Sequence, residues 1–213
     1  MLKNRAKKKE ILQQNDVTDI IDLADDKFKR GKFSEAIRHY DAALEQVPDN
    51  FRALHNKGLA LFALNKFEKA IECYDRALQV RPKALHVKLN KAIALNSKSD
   101  FGGAKNLLDQ IIKLEPTNKE ALNARALSEF KLGLDTEGIR DLKKAIETDP
   151  CYTMAWNNLG CFYLGLGELN FAIECFDRTL TIDTKNYDAF LLKDMALERQ
   201  EKQEKRHKSD LKV

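Results

Sequence analysis

The sequence predicts an all-α solenoid of helix–turn–helix repeats, and three observations carry the prediction. The 213-residue chain holds only four prolines, Pro48, Pro82, Pro116 and Pro150, each 34 residues from the next. Self-similarity at one fixed period marks a repeat architecture. Within each period apolar residues return at helical spacing, as in Ala36, Ile37, Tyr40, Ala43 and Leu44. Between the two helical halves stands Gly31, Asn65, Ser99, Gly133 or Gly167. Gly and Asn tolerate the left-handed backbone that ends a helix.

The elements follow in order. Residues 1–16, MLKNRAKKKEILQQND, form a basic N-terminal tail, disordered or a short helix. The first repeat, 17–50, ends in FSEAIRHYDAALEQVP. The second, 51–84, holds ALHNKGLALFAL and FEKAIECYDRALQVRP, and the third, 85–118, holds FGGAKNLLDQIIKLEP. The fourth, 119–152, ends in DTEGIRDLKKAIETDP. The fifth, 153–186, pairs MAWNNLGCFYLGL with LNFAIECFDRTLTIDT, and has Thr184 where its predecessors have proline. Each half is a helix of about 14 residues. Proline after the second helix removes an N–H that is not needed there. Residues 187–206, YDAFLLKDMALERQEKQEKR, predict a capping helix. Its Phe190, Leu191, Met195 and Leu197 are expected to cover the last repeat, and 207–213 to form a tail.

The pattern resembles the tetratricopeptide repeat (TPR) family, whose period is 34 residues. Repeat position 8 is small at Ala24, Gly58, Ala92, Ala126 and Gly160, and position 20 at Ala36, Ala70, Ala104, Gly138 and Ala172. Position 24 is large at Tyr40, Tyr74, Leu108, Leu142 and Phe176. Lys27, Lys88, Ile111, Glu129 and Thr179 depart from the family pattern. Small residues such as Ala36 and Gly58 leave room for rings such as Tyr40 and Tyr74 to interdigitate. The resemblance implies a right-handed α-solenoid of helix–turn–helix TPR repeats. It also implies a scaffold or adaptor that binds a protein or peptide partner, with the first helices lining a concave groove.

Motifs that carry chemistry are missing from the sequence. There is no phosphate-cradling G-x-x-x-x-G-K-[ST] or G-x-G-x-x-G loop, no G-x-S-x-G elbow and no H-E-x-x-H. His39, His55, His86 and His207 stand far apart, with no metal-ligand spacing. No catalytic residue, metal, cofactor or small-molecule substrate is expected, and no enzyme. Cys73 and Cys175 share repeat position 23 and read as small hydrophobes. Four cysteines make no disulfide framework, and no secretory leader or membrane span is read, so a cytoplasmic location is expected. The net charge of +4 comes from the two tails rather than the repeats. That argues against a nucleic-acid-binding body. It leaves RNA or an anionic surface as an alternative partner of the tails.

Three residue sets are candidates for partner contact. Asn56, Asn90 and Asn158 recur at position 6 of the first helix, beside Asp22 and Ala124. In family members this position holds the backbone of an extended peptide, which an amide can do by donating and accepting. A solvent-facing helical asparagine also needs no ligand to explain it. Leu59, Ile93 and Leu127 recur at position 9, with Asp25, Cys161 and Met195 completing the line, and can meet apolar side chains of a partner. Phe28, Phe62 and Phe130 at position 12 read instead as contacts between adjacent first helices. Lys57, Lys91 and Arg125 at position 7 form either a basic ladder for an acidic ligand or packed stems with solvated heads. The dicarboxylate clamp that holds a chaperone C-terminus is not present. Its five positions, read from the first repeat, hold Ile21, Asp25, Asn56, His86 and Asn90. The alternative to groove binding is a self-assembling or complex-organising spacer that works through its convex side or its ends.

Overall fold

The computed structural model describes residues 17–210; the expected tail at 1–16 and the last three residues of the one expected at 207–213 lie outside them. The described residues form two compact units that divide between Leu107 and Leu108. The first unit holds α1 (17–29), α2 (Phe33–Gln46), α3 (Phe51–Ala63), α4 (Phe67–Val80) and α5 (Leu85–Ser97). Helix α6 (Phe101–Leu114) runs across the division. The second unit continues with α7 (Lys119–Lys131), α8 (Asp135–Thr148), α9 (Thr153–Leu166), α10 (Leu169–Ile182) and α11 (Tyr187–Asp210). No strand occurs among the described residues.

Local chemistry sets where these helices stop and start. All five residues between first and second helices are left-handed: Gly31, Asn65, Ser99, Gly133 and Gly167, with φ from 56° to 81°. Each conformation turns the chain so that the next N–H returns to the last turn, as in Lys66 N–H to Leu61 O at 2.9 Å and Leu134 N–H to Glu129 O at 2.8 Å. Ser99 holds this conformation against its side chain's preference. Three first helices begin with an asparagine cap. Asn50 accepts from Ala53 N–H at 3.0 Å, Asn118 from Ala121 N–H at 2.8 Å and Asn186 from Ala189 N–H at 3.0 Å.

The helices pack where a small residue faces a ring. Tyr40, Tyr74, Phe162 and Phe176 are buried in full. Tyr74 lies across Gly58, where a Cβ would overlap its ring, and Phe176 lies across Gly160, where a Cβ would come within 2.6 Å. In the first unit the core runs through Ile21, Ala36, Leu54, Leu61, Ala70 and Val87. In the second, Ala172, Phe176, Ala189 and Ala196 are buried together, with Leu192 packed against them.

Helix α11 corrects one expectation. It packs through Ala189, Leu192 and Ala196, whose small ends let its backbone approach α10. Lys193 pairs with Asp177 at 2.6 Å, and Gln200 Nε2 donates to Asn170 Oδ1 at 2.7 Å, which fixes its rotation. The residues expected to cover the last repeat therefore face outward: Phe190 is 54% exposed, Leu191 60% and Met195 47%, and Leu197 is exposed as well. The helix also runs to Asp210, past the expected end at Arg206.

The glycines divide by what a methyl would meet. Gly160→Ala is expected to lose about 1–3 kcal/mol, because the added Cβ must displace the Phe176 ring. Gly102→Ala, exposed near the start of α6 with open space around it, is expected to gain up to about 1 kcal/mol from lower unfolded-chain entropy. Urea unfolding monitored by far-UV circular dichroism reads both, and a shared sign would contradict the packing described.

Candidate peptide-binding surface

The three asparagines stand on first helices, and each joins its helix to the preceding one. Asn56 on α3 donates through Nδ2 to Asp25 Oδ1 on α1 at 2.8 Å. Asn90 on α5 meets His55 Nε2 on α3 at 2.9 Å. Asn158 on α9 donates to Asn123 Oδ1 on α7 at 2.8 Å. An amide has two hydrogens and a carbonyl, so one internal bond orients it without exhausting it. All three side chains remain partly exposed.

Two of the acceptors, Asp25 and His55, are shifted from their ordinary titration. Asp25 also accepts from Tyr40 Oη at 2.5 Å and pairs with Arg52. Burial would raise its pKa, but the Tyr40, Asn56 and Arg52 hydrogen bonds outweigh it and hold the carboxyl below its usual range. Burial, and then the neighbouring His86, push His55 down to about 4. It is therefore neutral at neutral pH, and its Nε2 accepts the Asn90 amide hydrogen, which places the ring proton on Nδ1.

The apolar candidates lie beside the amides. Leu59 and Ile93 in the first unit are half-buried, and Leu127 in the second is 36% exposed. The first unit thus brings Asn56, Leu59, Asn90 and Ile93 onto the touching helices α3 and α5, and the second holds Leu127 and Asn158 on α7 and α9. The position 12 rings behave differently from one another. Phe28 and Phe62 pack against Phe33 and Phe67 at the start of the following second helix, at 5.3 and 5.4 Å between centroids. Phe130 does join adjacent first helices, stacking on Phe162 at 4.1 Å.

The basic residues at position 7 are spent inside the fold. Lys57 pairs with Asp41 at 2.5 Å, Lys91 with Asp75, Arg125 with Asp109 at 2.7 Å, and Lys193 with Asp177 at 2.6 Å. In every case a first helix reaches back 16 residues to the preceding second helix. Sequence reading missed this ladder, although the repeated Asp-to-Lys/Arg spacing was there to find it. Arg125 goes further. Its guanidinium also takes both oxygens of Asp141, at 2.6 and 2.8 Å, and lies 3.7 Å from Glu129. Asp141 and Glu129 are buried, so this cation neutralises carboxylates that water does not reach.

Cys73 and Cys175 are free and buried, and burial pushes their thiols up, that of Cys175 to about 12. Such thiols are inert hydrophobes rather than nucleophiles. No described helix is long and apolar enough to cross a membrane.

Removing one cation from each kind of pair should separate them. Arg125→Met is expected to cost about 3–5 kcal/mol at neutral pH, because two buried carboxylates lose their counter-ion. Lys57→Met, at a solvent-facing pair, should cost about 1 kcal/mol or less. Urea titrations of both variants at neutral pH test both statements.

Two tetratricopeptide repeat family models match the chain, one over residues 21–85 and again over 89–152, the other over 142–174. The Hsp70-Hsp90 organizing protein 3 of Arabidopsis thaliana is 33% identical over 76 residues. That stretch is 36% of this chain and 14% of the relative, so the chain spans only a small part of that protein's length. Among solved structures, MamA from Desulfovibrio magneticus RS-1 superposes with a TM-score of 0.70 at 19% identity, covering 80% of this chain and 96% of the other. YrrB, a TPR protein with an unusual peptide-binding site, superposes with a TM-score of 0.65 at 19% identity, covering 87% and 97%. At such identities the likeness is one of fold. Because the family match spans more than half of its residues, the chain belongs to the tetratricopeptide repeat family, an all-α solenoid class whose members generally mediate protein–protein interactions.

Proposed function

We propose that this chain is a cytoplasmic adaptor whose first helices hold an extended segment or a helix of a partner protein. It is read as five repeats, 17–50, 51–84, 85–118, 119–152 and 153–186, closed by a cap from 187 to 206. The observation that carries the reading is the set of oriented amides, Asn56, Asn90 and Asn158, each pinned by one bond and each partly exposed beside Leu59, Ile93 or Leu127. The amides suit a peptide backbone, and the apolar side chains suit the residues it carries. Similarity to a chaperone-organising protein does not bring the chaperone terminus with it. The Asp25 carboxylate, central to one amide cluster, would repel a free C-terminal carboxylate. The Asn56→Ala/Asn90→Ala double variant should recover partners about 5- to 150-fold less well, if each lost hydrogen bond is worth about 0.5–1.5 kcal/mol. Affinity purification with quantitative mass spectrometry measures this, with circular dichroism to confirm folding. Unchanged recovery from a folded variant overturns the reading.

A second reading is favoured by one specific observation, the outward apolar face of α11 with Phe190, Leu191 and Met195. It makes the chain a self-assembling spacer that associates through its last helix. Sedimentation velocity should then show a weight-average coefficient that rises with concentration, and Phe190→Glu/Leu191→Glu should abolish the rise. A single species at every concentration in the unaltered protein removes this reading.

A further inference from the structure

Away from the amides, the turn between α4 and α5 opens a cavity of about 480 Å³ in the first unit, lined by Phe51, Arg81, Pro82, Lys83, Ala84 and His86. Its floor is apolar. The Phe51 ring forms the centre, His86 meets it edge-on at 5.9 Å, and Pro82 and Ala84 complete the surface. Its rim is cationic. The Arg81 guanidinium sits over the Phe51 ring, 4.3 Å from the centroid, and the exposed Lys83 lines the same cavity. The volume falls within the range of about 300–1,000 Å³ usual for ligand clefts.

The two cations differ from the paired ones at repeat position 7. Lys57, Lys91, Arg125 and Lys193 each have a carboxylate partner. Among the described residues neither Arg81 nor Lys83 has one. The equivalent turns differ in charge as well: Asp49, Glu115, Asp149 and Asp183 place an acidic residue in each, whereas Arg81-Pro82-Lys83-Ala84 has only basic ones. Where Asn50 and Asn118 cap α3 and α7, Ala84 offers α5 no side-chain cap. The same turn geometry has thus been given an apolar floor and uncompensated positive charge.

We propose that this cavity receives an apolar side chain, aromatic by preference, from an acidic segment of a partner protein. The side chain rests on Phe51, Pro82 and Ala84. Flanking carboxylates pair with Lys83 and with the free edge of the Arg81 guanidinium, which the ring already holds in place and which can meet a carboxylate with two parallel bonds. This site stands apart from the asparagine surface and does not rest on it.

The test uses the full chain, ¹⁵N-labelled, and three blocked pentapeptides: Asp-Glu-Phe-Glu-Asp, the same peptide with Ala for Phe, and Lys-Lys-Phe-Lys-Lys. The acidic Phe peptide should give saturable amide shifts at residues 51, 81 and 83–86, weakening severalfold between about 50 and 300 mM salt as the rim charges are screened. The Ala version should bind at least about fivefold more weakly, and the Lys version should give no saturable shift. Arg81→Glu/Lys83→Glu alters only exposed residues and should weaken the acidic Phe peptide by about tenfold or more with folding intact. The proposal is overturned if the acidic peptide gives no saturable shift, if its shifts lie elsewhere, or if the double variant binds it equally well.

Discussion

The close approach of a small residue to a large ring is the constraint on which both units depend. Gly58 under Tyr74 and Gly160 under Phe176 leave no space for even one methyl group. Ala36, Ala70 and Ala172 are fully buried on the second helices that carry the rings. Interiors are packed to crystal density, so these positions admit little substitution. Each unit is therefore built from a few fixed positions on each helix, and whatever distinguishes one repeat from another must lie elsewhere: on the open face of the first helices, in the turns, and at the ends.

Polar contacts then lock what the apolar ones bring together. The asparagine bonds run from one first helix to the next, and the lysine and arginine pairs run from a first helix back to the preceding second helix. The two sets tie different neighbours, so a repeat is held to its predecessor along two lines. Most of these ion pairs are partly exposed and each adds little energy. Their larger effect is on function: they consume the positive charge that position 7 would otherwise offer to an acidic ligand. Arg81 and Lys83 sit in a turn rather than at position 7, and neither pairs with a carboxylate among the described residues.

Legibility in the sequence follows the range of the physics. The helices and their turns depend on nearest neighbours, so the proline spacing and the residues Gly31, Asn65, Ser99, Gly133 and Gly167 were readable at once. The rotation of α11 was not. Phe190, Leu191, Leu192 and Met195 supply apolar side chains around much of the helix, and periodicity cannot say which of them face inward. The deciding feature was the pair Ala189 and Ala196, small residues seven apart, which is the same small-residue signal that marks positions 8 and 20. The aspartate ladder was visible as a spacing, but reading it requires knowing that a first helix lies against the second helix 16 residues earlier. The partners of Asn56, Asn90 and Asn158 were hidden for a similar reason: His55 and Asn123 share repeat position 5 but differ in residue type, and Asp25 stands at position 9.

The one gap in the ladder shows how such a fold can vary. At the fourth-to-fifth junction the acidic place is taken by Lys143 and the basic one by Leu159, and Leu159 is buried. An ion pair has been exchanged for apolar burial without a change in the helices on either side, an exchange that is often neutral in energy. Arg125, one repeat earlier, has meanwhile gathered Asp141 and Glu129 into a buried cluster. The second unit thus gathers part of its charge at one internal point and keeps Asp177–Lys193 as an ordinary pair, where the first has Asp41–Lys57 and Asp75–Lys91. Because each repeat needs to satisfy only its neighbours, local exchanges of this kind leave the architecture intact. The same tolerance allows a single turn, 81–84, to carry only basic charge where each of its counterparts holds an acidic residue.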